Sequence, residues 1–291
     1  MAKKRRQNIG FIYILPWLIG FLLLQLYPFA LSFYYSFTDT NLFSKARFVG
    51  FQNYINLFTI DPDFKKSLWV TLLFSAITVT GKIVFALFIA VVLSLKIKGI
   101  HTMRALYYLP SILGSSVAIA VLWRLMFMHT GVVNQTTGLI GIDPIDWLGH
   151  PSMALFTISS LEVWQFGSSM VLFLAALKQV PAELYEAAKV DGARPIRTFF
   201  TITIPMISPI IFFNTIMQTI NALQNFTAPF IVTAGGPVKS TYLLALKIYE
   251  DAFTHFKIGY ASASSWILFL IILIFTLICF GSSRYWVHYG E

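Results

Sequence analysis

Amide side chains recur inside one of the most apolar stretches of the sequence. They are spaced at intervals of 4, 3 and 4 residues, with one more amide alongside, so a helix would carry them as a single stripe. An amide both donates and accepts hydrogen bonds, which suits a neutral ligand rich in hydroxyl groups. Polar side chains at lipid depth usually face a cavity or another helix. The stripe therefore predicts either the lining of a cavity or a set of interhelical hydrogen bonds, and its members are Asn214, Gln218, Asn221, Gln224 and Asn225.

A second polar group lies in an earlier apolar run. Glu162, Gln165 and Ser169 are spaced at intervals of 3 and 4, which again places them on one helix face. These groups favour binding over catalysis, because an enzyme at a membrane surface needs clustered acid, base or metal-binding side chains. The histidines are instead dispersed and show no His-Glu-x-x-His spacing, so the sequence predicts no metal site.

The composition indicates which elements must hold these residues. Apolar residues make up 57% of the 291-residue chain and charged residues only 11%, with a mean hydropathy of +0.73. A soluble domain carries about 25% charged residues, so this chain cannot cover its own surface in water. The net charge of +9 comes from basic residues that flank apolar runs, which indicates membrane orientation rather than nucleic-acid binding. The single cysteine, Cys279, excludes an internal disulfide framework and a cysteine-rich metal site.

Several apolar runs are long enough to cross the hydrocarbon core of about 30 Å. The first follows a basic amino-terminus and is too long for a cleaved signal peptide, whose apolar part covers about 7–15 residues. It is therefore predicted to be an uncleaved anchor. The sequence predicts an all-α integral membrane protein with six transmembrane helices, at about residues 9–31, 68–95, 106–127, 153–177, 199–221 and 260–281.

The distribution of lysine and arginine predicts the orientation. Lys3–Arg6 precede the first run, and further basic residues lie between the second and third runs and between the fourth and fifth. The loop from Met128 to Ser152 has no lysine or arginine. Because cytoplasmic loops carry the excess of positive charge, both termini are predicted to be cytoplasmic.

The segment between the fourth and fifth runs predicts a short helix outside the bilayer, at about residues 182–192. Pro181 suits a first helical turn, and Gly192 suits a carboxyl-terminal stop. Glu183 and Glu186 favour the positive helix start. Small residues on one face would allow close approach by another surface, so the helix is predicted to dock on a partner; that face holds Ala182, Tyr185, Ala188 and Lys189.

The same segment carries a motif. Glu186-Ala187-Ala188 is followed after three residues by Gly192, and after nine more by Ile202-Thr203-Ile204-Pro205. This pattern resembles the EAA motif in permease subunits of ATP-binding-cassette (ABC) importers, although Ile204 stands where the family usually has leucine. Matches over nearly the whole chain resemble the carbohydrate branch, which includes the maltose and glycerol-phosphate transporter subunits; they are Tyr27-Pro28, Ser36–Asp39, Phe48–Tyr54, Pro181–Tyr185, Gly235–Pro237, Ala252-Phe253 and Gly259–Ala263.

The resemblance implies a fold and a set of partners. The fold would be that of a type I ABC importer permease, with an amino-terminal anchor and external loop over residues 1–66 and the transmembrane domain over residues 67–291. In that family a cytoplasmic coupling helix docks on the ATPase and transmits its motion. The partners would be a second homologous permease, two cytoplasmic ABC ATPase subunits and an extracytoplasmic solute-binding protein, assembled in a bacterial inner membrane. The coupling residues carried over from the motif are Glu186, Ala187, Ala188 and Gly192.

The chain itself is predicted to bind no cofactor. A phosphate-binding loop has the pattern Gly-x-x-x-x-Gly-Lys-Ser/Thr, and Gly81-Lys82 lacks both the upstream glycine and the following hydroxyl. ATP and Mg would therefore be bound by the partner ATPase subunits. The chain is predicted to be a transport subunit and not an enzyme.

The resemblance also places a sugar site in the fourth and fifth spans. Its positions map near Gly167 and Met170, and near Asn221, Gln224 and Asn225. Trp164 and Phe166 are predicted to stack on sugar rings. Combined with the polar groups described above, the predicted substrate pathway consists of Glu162, Gln165, Gly167, Met170, Gln218, Asn221, Gln224 and Asn225.

Lys82 lies about 20 Å from either end of its predicted span, too deep for its side chain to reach the interface. Its charge therefore needs a carboxylate, a carbonyl oxygen or water. Three interpretations stay open. Lys82 pairs with Glu162, or it faces the pathway and helps to accept an acidic sugar, or it is a structural lysine capped by backbone carbonyls.

The resemblance favours import of an oligosaccharide, with glycerol phosphate or an acidic oligosaccharide as alternatives. An integral-membrane enzyme or a secondary transporter is a remote alternative, because the sequence shows neither clustered catalytic groups nor internal repeats. Residues 239–255 are partly amphipathic and predict a helix at the outer membrane interface, which either contacts an external solute receptor or packs against the membrane domain.

Overall fold

The structure is a computed structural model that describes residues 13–41, 46–95, 99–114 and 116–288. The predicted basic amino-terminus and the start of the first apolar run lie outside the described residues. Regular structure in the described part is helical, apart from one isolated antiparallel bridge between Thr38 and Phe48. The predicted all-α class is confirmed.

Twelve α-helices are described along the chain, several of them continued by short π-helical turns, and a separate π-helical turn covers Pro229–Thr233. In chain order they are α1 (Tyr13–Ser36), α2 (Gln52–Thr59), α3 (Pro62–Ser94), α4 (Ile100–Leu113), α5 (Val117–Met126), α6 (Val132–Gly138), α7 (Pro151–Trp164), α8 (Gly167–Gln179), α9 (Ala182–Val190), α10 (Pro195–Leu223), α11 (Leu244–Tyr249) and α12 (Ile258–Trp286).

Four of these helices are long and apolar enough to cross a membrane by themselves, namely α1, α3, α10 and α12. Two further pairs, α4 with α5 and α7 with α8, reach the necessary length only together. Each pair is bent by more than 40° at a short break. Among the described residues there are therefore four candidate spans, or up to six if each bent pair crosses once.

The chain divides into two compact units. The first combines the residues up to Asp61 with Lys247–Ile267, and the second combines Pro62–Leu246 with the residues from Leu268 onward. The domain boundary predicted after residue 66 stays a prediction. The first unit, however, also takes in a segment from much later in the sequence.

The first unit is held together by aromatic and backbone contacts. Trp266 packs against the rings of Phe29 and Phe33 at centroid distances of 4.7 and 4.6 Å. Its indole nitrogen donates a hydrogen bond to the Ser32 hydroxyl at 3.2 Å. The start of α12 therefore lies against α1.

The end of α1 is fixed by a buried amide. The side chain of Asn53 donates to the carbonyl oxygens of Ser36 at 2.8 Å and Thr38 at 2.9 Å. Those carbonyls have no partner further along the helix, so the amide satisfies them. A β-carbon at Gly259 would lie 2.0 Å from the Thr38 carbonyl oxygen, so only glycine fits. Segments that carried the family resemblance therefore pack on one another.

A buried ion cluster completes the first unit. The Lys247 ammonium group lies 2.8 Å from Asp61 and 2.9 Å from Asp251, and it sits 5.5 Å from the centre of the Tyr260 ring. Tyr260 donates a hydrogen bond to Asp61 at 2.9 Å. Burial by itself lowers the pKa of Lys247. The hydrogen bonds and negative charges of Asp61 and Asp251 together outweigh this effect, so the pKa of Lys247 is raised above its ordinary value.

The second unit is organised around α3. This helix begins with Pro62, which suits a first turn because it has no N–H to leave unbonded. Fully buried phenylalanines on α3 and α8, Phe74 and Phe173, belong to two separate hydrophobic clusters of this unit. Gly81 brings α3 close to α7, because a β-carbon there would lie 2.9 Å from a methyl group of Val163.

Residues 239–255 form less helix than the sequence predicted. The helix α11 begins only at Leu244 and continues into a π-helical turn over Glu250–Thr254. Leu243 and Leu246 are completely buried. The part of the segment around Leu243 and Leu246 is therefore packed within the protein, whereas Phe253 is exposed.

Candidate functional site

Two helix breaks lie next to the polar residues that the sequence singled out. The helix α7 is capped at its carboxyl end by Gln165, and α8 starts at Gly167 after a bend of 46°. The helix α10 ends at Leu223, so Asn225 follows the helix. The prediction that all five amides share one continuous helix was wrong, because α10 ends at Leu223, before Gln224 and Asn225.

These breaks meet around a cavity of about 400 Å³. Gly114, which follows α4 at a third break, also lines it. Non-helical backbone at membrane depth is tolerated where it is buried in protein or lines a wet cavity, because its polar groups need partners there. The cavity therefore gives a physical reason for the breaks. Its lining residues are Lys82, Gly114, Ala120, Leu161, Glu162, Gln165, Asn221, Gln224, Asn225, Phe226, Thr227 and Ala228.

Glu162 and Asn225, which both line the cavity, are joined by a direct hydrogen bond. The Asn225 side-chain nitrogen donates to Oε1 of Glu162 at 2.7 Å. A hydrogen bond to an ionised acceptor is stronger than one between neutral groups. The Oδ1 atom of Asn225 is buried and has no hydrogen-bond partner among the described residues. The bond therefore holds Glu162 in place while one acceptor of Asn225 stays unused.

Lys82 faces the same cavity from α3. It also borders a narrow crevice beside Gln218 and Asn221. Glu162 is near enough to interact with it electrostatically, but within the described part of the chain no carboxylate lies within the 4.0 Å of an ion pair. The predicted direct pair between Lys82 and Glu162 is therefore not formed, although both residues line one cavity.

The remaining amides make bonds within the protein. Gln218 donates to the Ser169 hydroxyl at 3.1 Å, which joins α10 to α8. Asn214 is 1% exposed and donates to the carbonyl oxygen of Ile210 in its own helix at 3.0 Å. The amide stripe therefore serves both predicted purposes. Its first part provides hydrogen bonds, and Asn221, Gln224 and Asn225 line the cavity.

Gly167 and Met170 do not line this cavity. A β-carbon at Gly167 would lie 2.7 Å from the carbonyl oxygen of Tyr107, so the glycine allows α8 to pack closely on α4. Met170 is fully buried in a hydrophobic cluster. Their assignment to the pathway rests on the family resemblance.

The aromatic residues predicted to stack on a sugar are engaged with other aromatic rings. Trp164 packs against Trp123 at 5.4 Å, and Phe166 contacts Phe85 edge-on at 4.7 Å. Phe226 was not singled out by the sequence analysis, yet it lines the cavity.

Gly114 was missed as well, although a signal for it was present. In the sequence it precedes two serines inside an apolar run, and sharp helix kinks are frequent at such glycine and serine pairs. The break between α4 and α5 follows this position. The position of the end of α4 beside the cavity, by contrast, depends on packing between helices, which the local sequence does not reveal.

The predicted loop helix is present as α9. Pro181 precedes its first turn and Gly192 adopts a φ of +69°, a conformation that favours glycine. The Tyr185 hydroxyl lies 3.0 Å from that of Thr203, and Ala188 is buried. Tyr185 and Ala188 therefore pack against the protein itself, on the face that was predicted to meet a partner.

The opposite face of α9 is free within the described structure. Glu186 and Ala187 are exposed, and a groove of about 730 Å³ runs between α9 and the start of α10. Arginine and small residues line much of the groove, which suits an acidic or polar partner surface. The lining residues are Leu184, Ala187, Ala188, Asp191, Gly192, Ala193, Arg194, Arg197, Thr201 and Ile202.

Comparison with known proteins decides the class of molecule. The model of the family described as "Binding-protein-dependent transport system inner membrane component" matches residues 57–287. The chain belongs to this family. It is a permease subunit of an ABC importer, and the predicted resemblance to the carbohydrate branch is confirmed. Together with its apolar helices, membership identifies a multi-pass membrane protein.

Relatives match the permease over nearly its whole length. It is 45% identical over 289 residues to the probable ABC transporter permease protein YesP of Bacillus subtilis (strain 168), which covers 98% of this chain and 94% of the relative. It is 32% identical over 289 residues to the trehalose/maltose transport system permease protein MalF of Thermococcus litoralis, covering 97% of this chain and 96% of the relative.

A solved structure supports the fold of the permease. A chain of a bacterial ABC transporter involved in the import of the acidic polysaccharide alginate matches with a TM-score of 0.82. The match covers 97% of each chain at 24% sequence identity. The overall helical arrangement therefore belongs to ABC importer permeases.

Proposed function

We propose that this permease forms, together with a second homologous permease, the translocation pathway for a carbohydrate. The observation that carries the proposal is the polar cavity at the meeting point of three helix breaks in an otherwise apolar domain. Its amides offer both donors and acceptors, which match the hydroxyl groups of sugars. Support comes from the substrates in the names of similar proteins, trehalose or maltose in one case and alginate in another.

The substrate class that fits best is an oligosaccharide. The pathway residues would be Glu162, Gln165, Gln218, Asn221, Gln224 and Asn225, with Gly167 and Met170 assigned by the family resemblance. An acidic oligosaccharide or glycerol phosphate is the second candidate. It is favoured by one observation, the lysine that faces the cavity.

The membrane topology that goes with this function has six spans. Each bent helix pair would cross the bilayer once, as in the type I importer fold, and both termini would be cytoplasmic. Residues 1–66 would form the anchor and external loop, and residues 67–291 the transmembrane domain. This topology is supported by the absence of lysine and arginine from the Met128–Ser152 loop in the sequence.

The helix α9 would be the coupling helix. Glu186, Ala187 and Gly192 would meet one of two cytoplasmic ATPase subunits, which bind ATP and Mg in place of this chain, and Ala188 of the same motif would support them from its buried position. The groove beside α9 supports this assignment, since it is open and lined by arginines. On the opposite side of the membrane, a solute-binding protein would deliver the substrate, in keeping with the family description.

The pathway is tested with the complete importer in proteoliposomes. Uptake of labelled neutral and acidic trisaccharides is measured for the wild type and for Asn221→Leu combined with Gln224→Leu. The double variant should lose about tenfold or more in uptake, because each amide is worth about 0.6–2 kcal/mol in hydrogen bonds. Gln52→Leu, an exposed amide in the first unit, is the matched control. An importer that takes up no carbohydrate from the panel would disprove the function.

The coupling assignment is tested in the same preparation. Gly192→Val forces a branched side chain into a φ of +69°, and Glu186→Gln removes an exposed charge from the motif. Both should abolish uptake while the solute-binding protein still captures its ligand. Glu183→Gln removes a charge from the same helix outside the motif, and it should transport normally. Full uptake by the Gly192→Val variant would contradict the assignment.

A further inference from the structure

Lys82 is a cation at membrane depth whose hydrogen-bond donors are unused. It lies about 18 Å along α3 from the helix end at Ser94, at 1.5 Å per residue. No hydrogen bond or ion pair to Lys82 is found among residues 13–41, 46–95, 99–114 and 116–288. A charge at this depth is costly unless it serves a pathway or finds a partner. The three donors of its ammonium group point to a ligand that brings acceptors.

The surroundings of Lys82 restrict the charge of that ligand. Glu162 is the carboxylate of the cavity, and its Oε1 atom already accepts a hydrogen bond from Asn225 at 2.7 Å. No arginine is among the described residues that line the cavity. Phosphate groups are commonly gripped by several cations or by the forked guanidinium of arginine. A single ammonium beside one carboxylate suits an anion of one charge.

The packing of α3 keeps this arrangement in place. Gly81 precedes Lys82 and allows α3 to approach Val163, the neighbour of Glu162 in the sequence. Because the glycine and the valine are adjacent to the two charged residues, this contact brings the backbone of Lys82 close to that of Glu162. The cavity of about 400 Å³ falls within the size range of small-molecule sites, roughly 300–1,000 Å³.

We propose that Lys82 makes this importer selective for saccharides that bear a carboxylate. The ammonium group takes the carboxylate of a uronate unit in the pathway. Asn221 and Gln224 take hydroxyl groups of the same or the next unit, and Glu162 keeps a second anion from entering beside the first. The inference rests on the proposed function, since it assigns a substrate class to the same cavity.

The test uses the complete importer in proteoliposomes with matched pairs of probes. Each uronate trisaccharide in a panel is compared with its carboxyl-reduced, neutral counterpart, and glycerol 3-phosphate is a third arm. The variants are Lys82→Met, Lys82→Arg and, as control, Lys239→Met, which removes an exposed lysine paired with Asp63. Because one solute-binding protein delivers each probe to all variants, the ratio of wild-type to variant uptake isolates the permease.

The expected result is a loss that depends on the charge of the probe. Lys82→Met should lower uptake of the uronate probes by about tenfold or more, the loss that follows from removing one charge-assisted hydrogen bond. Uptake of the neutral counterparts should change less than about twofold, and Lys82→Arg should keep most of the uronate uptake. Retained ATP hydrolysis stimulated by the binding protein shows that the variant is folded.

Several outcomes would overturn the inference while leaving the proposed function intact. One is a wild-type importer that takes up only the neutral probes. Another is an equal loss of charged and neutral probes in Lys82→Met. A third is a charge-dependent loss confined to glycerol 3-phosphate. Failure of the wild type to import any saccharide would remove the proposed function, and this inference with it.

Discussion

The permease contains two inwardly placed lysines in opposite situations. Lys247 is 4% exposed and holds two carboxylates, Asp61 at 2.8 Å and Asp251 at 2.9 Å, together with the face of Tyr260. Lys82 faces a cavity and makes no ion pair within the described residues. A fully partnered buried charge has its donors committed to the protein, whereas an unpartnered one can serve a ligand. The first lysine is therefore structural, and the second is available to a ligand in the proposed pathway.

The difference also separates stability from transport. Removing the structural lysine leaves the buried carboxylate of Asp251 and the partly buried carboxylate of Asp61 without their ammonium partner, which destabilises the protein. Removing the cavity lysine deletes a charge that makes no ion pair among the described residues. Substitution of Lys247 should therefore lower the stability of the protein, whereas substitution of Lys82 should change the uptake of substrate.

The largest effect is expected for Lys247→Met. Breaking a buried ion pair from one side destabilises a protein by about 3–5 kcal/mol. The midpoint of thermal unfolding of the purified importer in detergent should fall accordingly. Combining Lys247→Met with Asp61→Asn should recover part of the loss, because one uncompensated charge is then removed. A midpoint equal to that of the wild type would show that Lys247 is not structural.

Asn225→Leu should have an intermediate effect. The variant removes the 2.7 Å hydrogen bond to the carboxylate of Glu162, and bonds to charged groups contribute about 1.5–3 kcal/mol. The same unfolding measurement detects the loss. Asn221→Leu is the matched control, since Asn221 is exposed to the cavity and its side chain makes no hydrogen bond in the described part of the chain. Equal shifts for the two variants would argue against a special role for the bond.

Lys239→Met should change stability only slightly. Lys239 pairs with Asp63, but their side chains are 45% and 42% exposed, and an exposed pair is worth about 0.2–1 kcal/mol. The small difference should disappear at high salt, because exposed charges are screened. A shift as large as that of Lys247→Met would mean that burial does not distinguish the two pairs.

Lys82→Met should leave the unfolding midpoint essentially unchanged. The variant removes a charge that makes no ion pair among the described residues. No ion-pair partner therefore loses its counter-charge. Its effect should appear in the uptake of charged substrates alone. A drop in the midpoint comparable with that of Asn225→Leu would reassign Lys82 to a structural role.

Local signals in the sequence were sufficient for much of the fold. Pro181 and Gly192 bracket α9, because a proline favours a helix start and a glycine accepts the positive φ at its end. Length and hydropathy located the long helices α3, α10 and α12. These features depend on a few neighbouring residues, so a single sequence contains them.

The cavity could be predicted only in part. The helical spacing of the amides identified them in the sequence. That spacing continues past Leu223, however, where α10 ends. The bond between Glu162 and Asn225 joins residues 63 positions apart, and such pairing is decided by the packing of several helices. For the same reason, the face of α9 that packs against the protein itself was predicted to meet a partner. Small residues at Ala182 and Ala188 indicate close packing without saying against which surface.

The contact at Gly81 has a consequence for the size of the polar cavity. The single hydrogen atom of glycine lets the backbone of α3 pass a valine whose branched side chain has little rotational freedom. Any larger residue would wedge the two helices apart and carry the neighbouring charges with them. If the cavity is the proposed pathway, the close approach of α3 and α7 at this glycine sets the space beside Lys82 and Glu162, so even Gly81→Ala should change which substrates are transported.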